Sequence, residues 1–376
     1  MRVLILTDAD FVRREWPMLQ RLEIGLADEG VRVLQASPRS CAELVMREAA
    51  AVYSTGVSYH DHGLPWTLGL RATALLNDLQ RAAPADADGP VADVVLALGA
   101  GAWSLATLVA RRIGARLVLE VASPALIRAA AGAFATASGK PPRPRAAPVP
   151  TFIAPDPGLV VELARVVPAT SVRLVPWGAH PADVQRAPID PAVSLSVVLI
   201  ASAHDPEAAR GAVQALAHLA ALAPGLMVLA DADVAERTGL WRMIEAFPAL
   251  AGRVSLIADV EGRREAVLHA DAMLVAQADG VHRSIVLEAM ARGTLVFAPP
   301  DRLVDSFVDG ITCAFIQMGT LAAPLAAAET TATVVRETPR AEALRRSARD
   351  FIAAHRSASG QVRAMLDAIS SEGSGR

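Results

Sequence analysis

Short runs of β-branched and aliphatic residues alternate with longer stretches of helical period along the whole chain. That alternation predicts parallel sheets covered by helices on both faces. In the first half the pattern predicts strands at Arg2–Thr7, Val31–Gln35, Asp93–Leu98, Arg116–Val121, Thr151–Ala154 and Ser171–Val175. Between the first two lies "RREWPMLQRLEIGLADEG", a helix whose stop signal is Gly30. A second series follows "APIDPAVS", with strands predicted at Leu195–Ala201, Gly225–Leu229, Arg253–Ile257, Ala272–Ala276, Thr294–Ala298 and Thr312–Ile316. The stretch "RAEALRRSARDFIAAHRSASGQVRAMLDAI" reads as amphipathic helix with no strand after it. Two βα domains in tandem, closed by a helical tail, is the architecture this predicts.

Composition narrows the picture. The 376 residues are 53% hydrophobic and 20% charged, enough to bury two cores. A net charge of -3 gives no electrostatic case for nucleic acid. The two cysteines, Cys41 and Cys313, form neither a disulfide framework nor a zinc pattern. The apolar run before Asp8 and Asp10 is too short for a signal peptide, and a soluble cytoplasmic protein is the expectation. One lysine, Lys140, stands against 35 arginines, so arginine must supply the cations at any anionic site.

The segment "LVAQADGVHRSIVLEAMARGTLVFAPP" carries the strongest candidate chemistry. Its helix is apolar on nearly every side yet holds Glu288, and a buried carboxylate needs a partner. The helix starts near Ser284, after a strand, so the amides of Val281, His282, Arg283 and Ser284 would lie at a positive helix end suited to phosphate. Glu288, one turn deeper, could accept from two neighbouring ribose hydroxyls or pair with an arginine. Spacing alone leaves both readings open.

"HADAMLV", "QADGVHRS", "LEAMARGTLVF" and "FVDGITCAFI" together resemble the donor-binding region of the large retaining glycosyltransferase family of GT-B fold. "SVRLVPWGAH" is similar to the turn that ends that family's N-terminal domain, and "VVLIASAHDPEAARGAVQALAHL" to the opening of its C-terminal domain. "ADVVLALGAGAWSLATLVARRIGARLVLEVAS" matches an N-terminal unit more loosely. The resemblance implies an α/β fold of two Rossmann-like domains facing a cleft, with the C-terminal helix crossing back to the first domain. The acceptor-side domain would span 1–187 with tail helix 357–376, and the nucleotide-sugar domain 188–356. It implies transfer with retention from a nucleotide-sugar to a glycan, lipid or small-molecule acceptor, with no cofactor, no metal and no protein nucleophile.

By that resemblance Glu288 matches the second acid of the E-x7-E motif, which holds the ribose; the first acid falls at Gly280. The family's arginine and lysine for the diphosphate fall at Ala203 and Ala208, beside His204, leaving Arg210, Arg283 or His282 as substitutes. On the acceptor side, Ala122 takes the place of a histidine, and Gly99 and Gly101 face the cleft. "TDADFVRREW" lacks the family's glycine pair. A catalytically degenerate protein that binds a nucleotide or a partner without transfer is therefore the alternative.

Weaker signals complete the reading. "GAGAWS" with Glu120 has the outline of a dinucleotide fingerprint, but Ser104 replaces the third glycine and a structural tight turn is the better account. His60, Asp61 and His62 would bind a metal only with a third converging ligand. Trp177 is assigned to hinge packing. "RAEALRRSARD" reads as a solvated face, with peripheral membrane contact as a further partner class.

Overall fold

The computed structural model describes residues 1–42, 54–61, 64–82, 90–138, 148–182, 186–202, 205–258, 260–277, 283–317 and 322–370. The chain forms two compact units, Met1–Trp177 with Ala358–Arg376, and Gly178–Ser357.

The first unit holds a seven-stranded parallel sheet in the order β3-β2-β1-β4-β5-β6-β7. Its strands are β1 (Arg2–Thr7), β2 (Arg32–Pro38), β3 (Ser54–Tyr59), β4 (Val94–Leu98), β5 (Arg116–Glu120), β6 (Thr151–Ala154) and β7 (Val172–Leu174). Both faces are covered, so β1 and β4 are apolar almost throughout, as buried parallel strands must be. Helices α1 (Ala9–Asp28), α2 (Leu68–Ala82), α3 (Trp103–Ile113), α4 (Ile127–Ser138) and α5 (Pro157–Leu163) join the strands. Helix α1 departs from helical geometry at Glu15, next to Pro17, which cannot donate to the preceding turn.

The second unit repeats the plan with six parallel strands in the order β10-β9-β8-β11-β12-β13. These are β8 (Leu195–Ile200), β9 (Leu226–Asp231), β10 (Val254–Ile257), β11 (Ala272–Val275), β12 (Leu295–Ala298) and β13 (Ala314–Phe315). Its helices are α6 (Pro206–Leu222), α7 (Ala232–Thr238), α8 (Leu240–Ala246), α9 (Val260–His269), α10 (Arg283–Ala291), α11 (Ala323–Arg336) and α12 (Thr338–His355).

The last helix, α13 (Ala358–Ser370), belongs to the first unit, where it packs on α1. Gly25 makes that approach tolerable, since a Cβ there would lie 2.3 Å from Val362 Cγ2. The Gln361 amide donates to Met18 Sδ at 3.0 Å, and Arg116 donates to the Ile369 carbonyl. The expected return of the chain's end to the first domain is thus built from specific contacts.

Every predicted strand is present. The strand missed is β3, whose sequence "STGVSY" lacks an apolar run because it lies at the sheet's edge. The arginine-rich stretch keeps its outer face in solvent at Arg340, Arg346 and Asp350, with one departure. Arg345 is buried on α12 and donates to Glu342 at 2.7 Å.

Candidate functional site

In open sheets of this kind, ligands bind outside the carboxyl ends of the strands, where the strand order reverses. Each unit has one such point. In the first it lies after β1 and β4; in the second, after β8 and β11.

After β8, Ser202 is buried, and Asp205 caps α6 by accepting from Ala208 N at 3.0 Å. After β11, α10 opens at Arg283, with Ser284 in its first turn; both are buried. The helix ends at Gly293, whose φ of 72° lets Thr294 N close back on Ala289 O at 2.9 Å. Gly280, Val281, His282, Ala203 and His204 lie outside the described residues.

Glu288 sits in the second turn of α10 and is buried. Its Oε2 accepts from Arg264 Nε at 3.3 Å. Arg264, on α9, leaves 44% of its side chain exposed, so the pair opens to solvent on the arginine's side. Its neighbour Arg263 pairs with Asp231 at the end of β9. Two arginines in succession therefore reach toward this edge of the sheet. Sequence reasoning overlooked them, because "GRREAV" looks like an ordinary solvated turn of helix; two adjacent arginines one element before the key helix were the available signal.

The cations expected from the sequence are placed differently. Arg283 is only 3% exposed, and a guanidinium so deeply buried requires fixed acceptors. Arg210 pairs with Glu207 at 3.3 Å, both largely exposed, as an ordinary i,i+3 surface pair on α6.

The first unit's reversal point is occupied by the chain itself. Asp8, directly after β1, caps α1 by accepting from Phe11 N at 2.7 Å, and also accepts from Gly101 N at 2.8 Å. A Cβ on Gly99 would fall 2.4 Å from Asp8 Oδ2, and one on Gly101 3.1 Å from it. The two glycines are there to seat that carboxylate. Burial raises the Asp8 pKa from its usual 3.8, against the two backbone hydrogen bonds that lower it. Gly99 and Gly101 thus lie directly after β4, packed against Asp8. Ala122 lies just beyond β5 on the same edge.

The dinucleotide outline loses both its elements. The glycine loop holds Asp8, and Glu120 is buried with its Oε1 accepting from the Trp177 indole at 2.9 Å. Trp177 also stacks edge-on with Phe11, centroids 5.9 Å apart, which gives its packing role a concrete form. Of the His60–Asp61–His62 stretch, His62 lies outside the described residues, and Asp61 accepts from Ser40 Oγ at 2.5 Å.

A cavity of about 380 Å³ opens at the opposite edge of the second sheet, lined by Arg186, Asp190, His269 and Asp271 among others. Its arginine is committed: the Arg186 guanidinium donates to the carbonyls of Leu268, Ala270 and Arg292 and to Thr294 Oγ1. It clamps the ends of α9 and α10 and is not poised for a ligand.

No family model and no curated protein matches the chain. Solved structures do. HepE of Anabaena, in complex with UDP and glucose, superposes with a TM-score of 0.73 at 13% identity, covering 99% of this chain and 100% of that one. Sucrose-phosphate synthase from Thermosynechococcus elongatus gives 0.66 at 14% identity, over 97% of each chain. A glycosyltransferase from Rickettsia africae gives 0.67 at 12% identity, over 98% and 97%. At such identities the likeness defines the fold: the chain has the two-unit, Rossmann-like GT-B architecture of these proteins.

Proposed function

We propose that this protein is a glycosyltransferase that takes a sugar from a nucleoside diphosphate sugar and transfers it with retention to a glycan, lipid or small-molecule acceptor. The observation that carries the reading is Glu288: a buried carboxylate in the second turn of α10, at the carboxyl edge of the second sheet, ion-paired with a half-exposed arginine. Displacing or sharing that arginine would let the carboxylate accept from ribose hydroxyls. Arg264 would then be available to the diphosphate, together with the amides at the start of α10. HepE, of the same fold, is described with UDP-glucose bound, which supports a nucleotide-sugar as the ligand class.

Departure of a nucleoside diphosphate builds about two negative charges, and each preorganised cation can contribute ~3 kcal/mol to stabilising them. With alanine at positions 203 and 208, Arg264, beside Glu288, is the candidate for that work. The second reading, binding without transfer, draws on the same two alanines and on Gly280 in place of the sugar-contacting acid.

Melting curves with UDP, GDP and ADP, followed by hydrolysis and transfer assays with the corresponding sugars, test both. A nucleotide that raises Tm in the parent and not in Glu288→Ala supports the site. Turnover then selects transfer over binding alone. No response to any of the three nucleotides sinks the transferase reading and the nucleotide-binding form of the second.

A further inference from the structure

The start of α2 carries the most exposed aromatic side chain among the described residues. Trp66 is 76% exposed, Leu70, one turn on, 74%, and Leu64 54%. A turn sets them together: Thr67 N and Thr67 Oγ1 both donate to the Leu64 carbonyl at 2.8 Å. Such exposures mean that the three side chains project from the surface and do not line a groove. Isolated exposed leucines need no explanation, whereas a tryptophan and two leucines on one projecting turn do.

Arginines border the turn. Arg112 donates to Thr73 Oγ1 at 2.6 Å and comes within 3.6 Å of where a Gly69 Cβ would stand, so it borders the turn directly. Arg111 precedes it, also exposed. Arg71 donates to the carbonyls of His60 and Asp61 and sits over the Tyr59 ring. Of the nearby acids, Asp78 pairs with Arg81 at 3.0 Å, and Asp61 accepts from Ser40 Oγ. The rest of the helix's outer face, Thr73, Ala74, Asn77 and Gln80, carries no acid.

We propose that this turn docks the protein on an anionic lipid surface. Trp66, Leu70 and Leu64 would enter the headgroup boundary, and Arg112 with Arg111 would hold the lipid phosphates. Tryptophan suits that boundary because its ring is apolar while its N–H stays wet. The inference stands on the first unit alone and does not depend on the donor-site reading.

The test is sedimentation of the full chain with vesicles of phosphatidylcholine alone and of phosphatidylcholine mixed with phosphatidylglycerol. Binding is expected to the mixed vesicles only, weakened by salt, and reduced about tenfold or more in the Trp66→Ser, Leu70→Ser double variant. Arg111→Gln with Arg112→Gln should weaken it severalfold. Because these side chains are exposed, the variants should melt with the parent. Absence of sedimentation at low salt, or equal sedimentation by the double variant, overturns the proposal. So does self-association without lipid that the double variant abolishes, since the turn would then meet a second copy.

Discussion

The two units share strand order and topology yet treat their reversal points oppositely. In the first, the chain has placed its own anion there: Asp8 takes the amides of Phe11 and Gly101, the donors a phosphate would otherwise use. In the second, the carboxylate lies one turn inside α10, beside an arginine that water can reach. One fold can thus place an acid differently at its two reversal points, and the difference rests on where that acid sits relative to the helix ends. In the first unit it caps them; in the second it stands behind them.

Substitutions can break that contrast, the largest effect first. Gly99→Ala forces a Cβ onto Asp8 at a residue whose φ is 88°, and should cost about 3 kcal/mol in chemical unfolding. A loss below about 1 kcal/mol would mean the loop holds Asp8 loosely.

Asp8→Ala removes the acceptor of two helix-end amides and should cost about 2 kcal/mol. Its pH dependence has a definite sign. Burial raises the folded pKa above 3.8, so the folded chain holds that proton more tightly than the unfolded chain does. The stabilisation is full below pH 3.8 and is lost as pH rises through the folded value. The variant's deficit against the parent should therefore grow as pH falls; a deficit that shrinks refutes the burial account.

Trp177→Phe should cost about 1 kcal/mol, since it leaves Glu120 without the indole donor while keeping an aromatic ring near Phe11. Arg210→Ala is expected to change stability by less than ~0.5 kcal/mol, because its ion pair is a solvated one. Should that substitution also abolish nucleotide binding, Arg210 and not Arg264 is the cation of the second unit.

Much of this was legible in the sequence, for physical reasons that can be named. Buried parallel strands announce themselves as apolar runs, so β1, β4, β8 and β11 were readable. The edge strand β3 was not, because half-exposed positions accept Ser, Thr and Gly. Glu288 stood out as one charge among greasy neighbours. Arg264 did not, since a helix with many charges shows nothing in sequence of which one turns inward. Asp8 carries no local signal, since its role depends on Gly101, 93 positions away, which no local pattern reveals.

The proposed function puts a nucleotide at the second unit's reversal point and none at the first's. Calorimetric titration of the full chain with UDP, GDP and ADP tests it in the parent, in Glu288→Ala and in Asp8→Asn. The account expects one site for at least one of these nucleotides, weakened roughly thirtyfold, about 2 kcal/mol, by Glu288→Ala and unchanged by Asp8→Asn. Affinity that ignores Glu288 and follows Asp8 would contradict it.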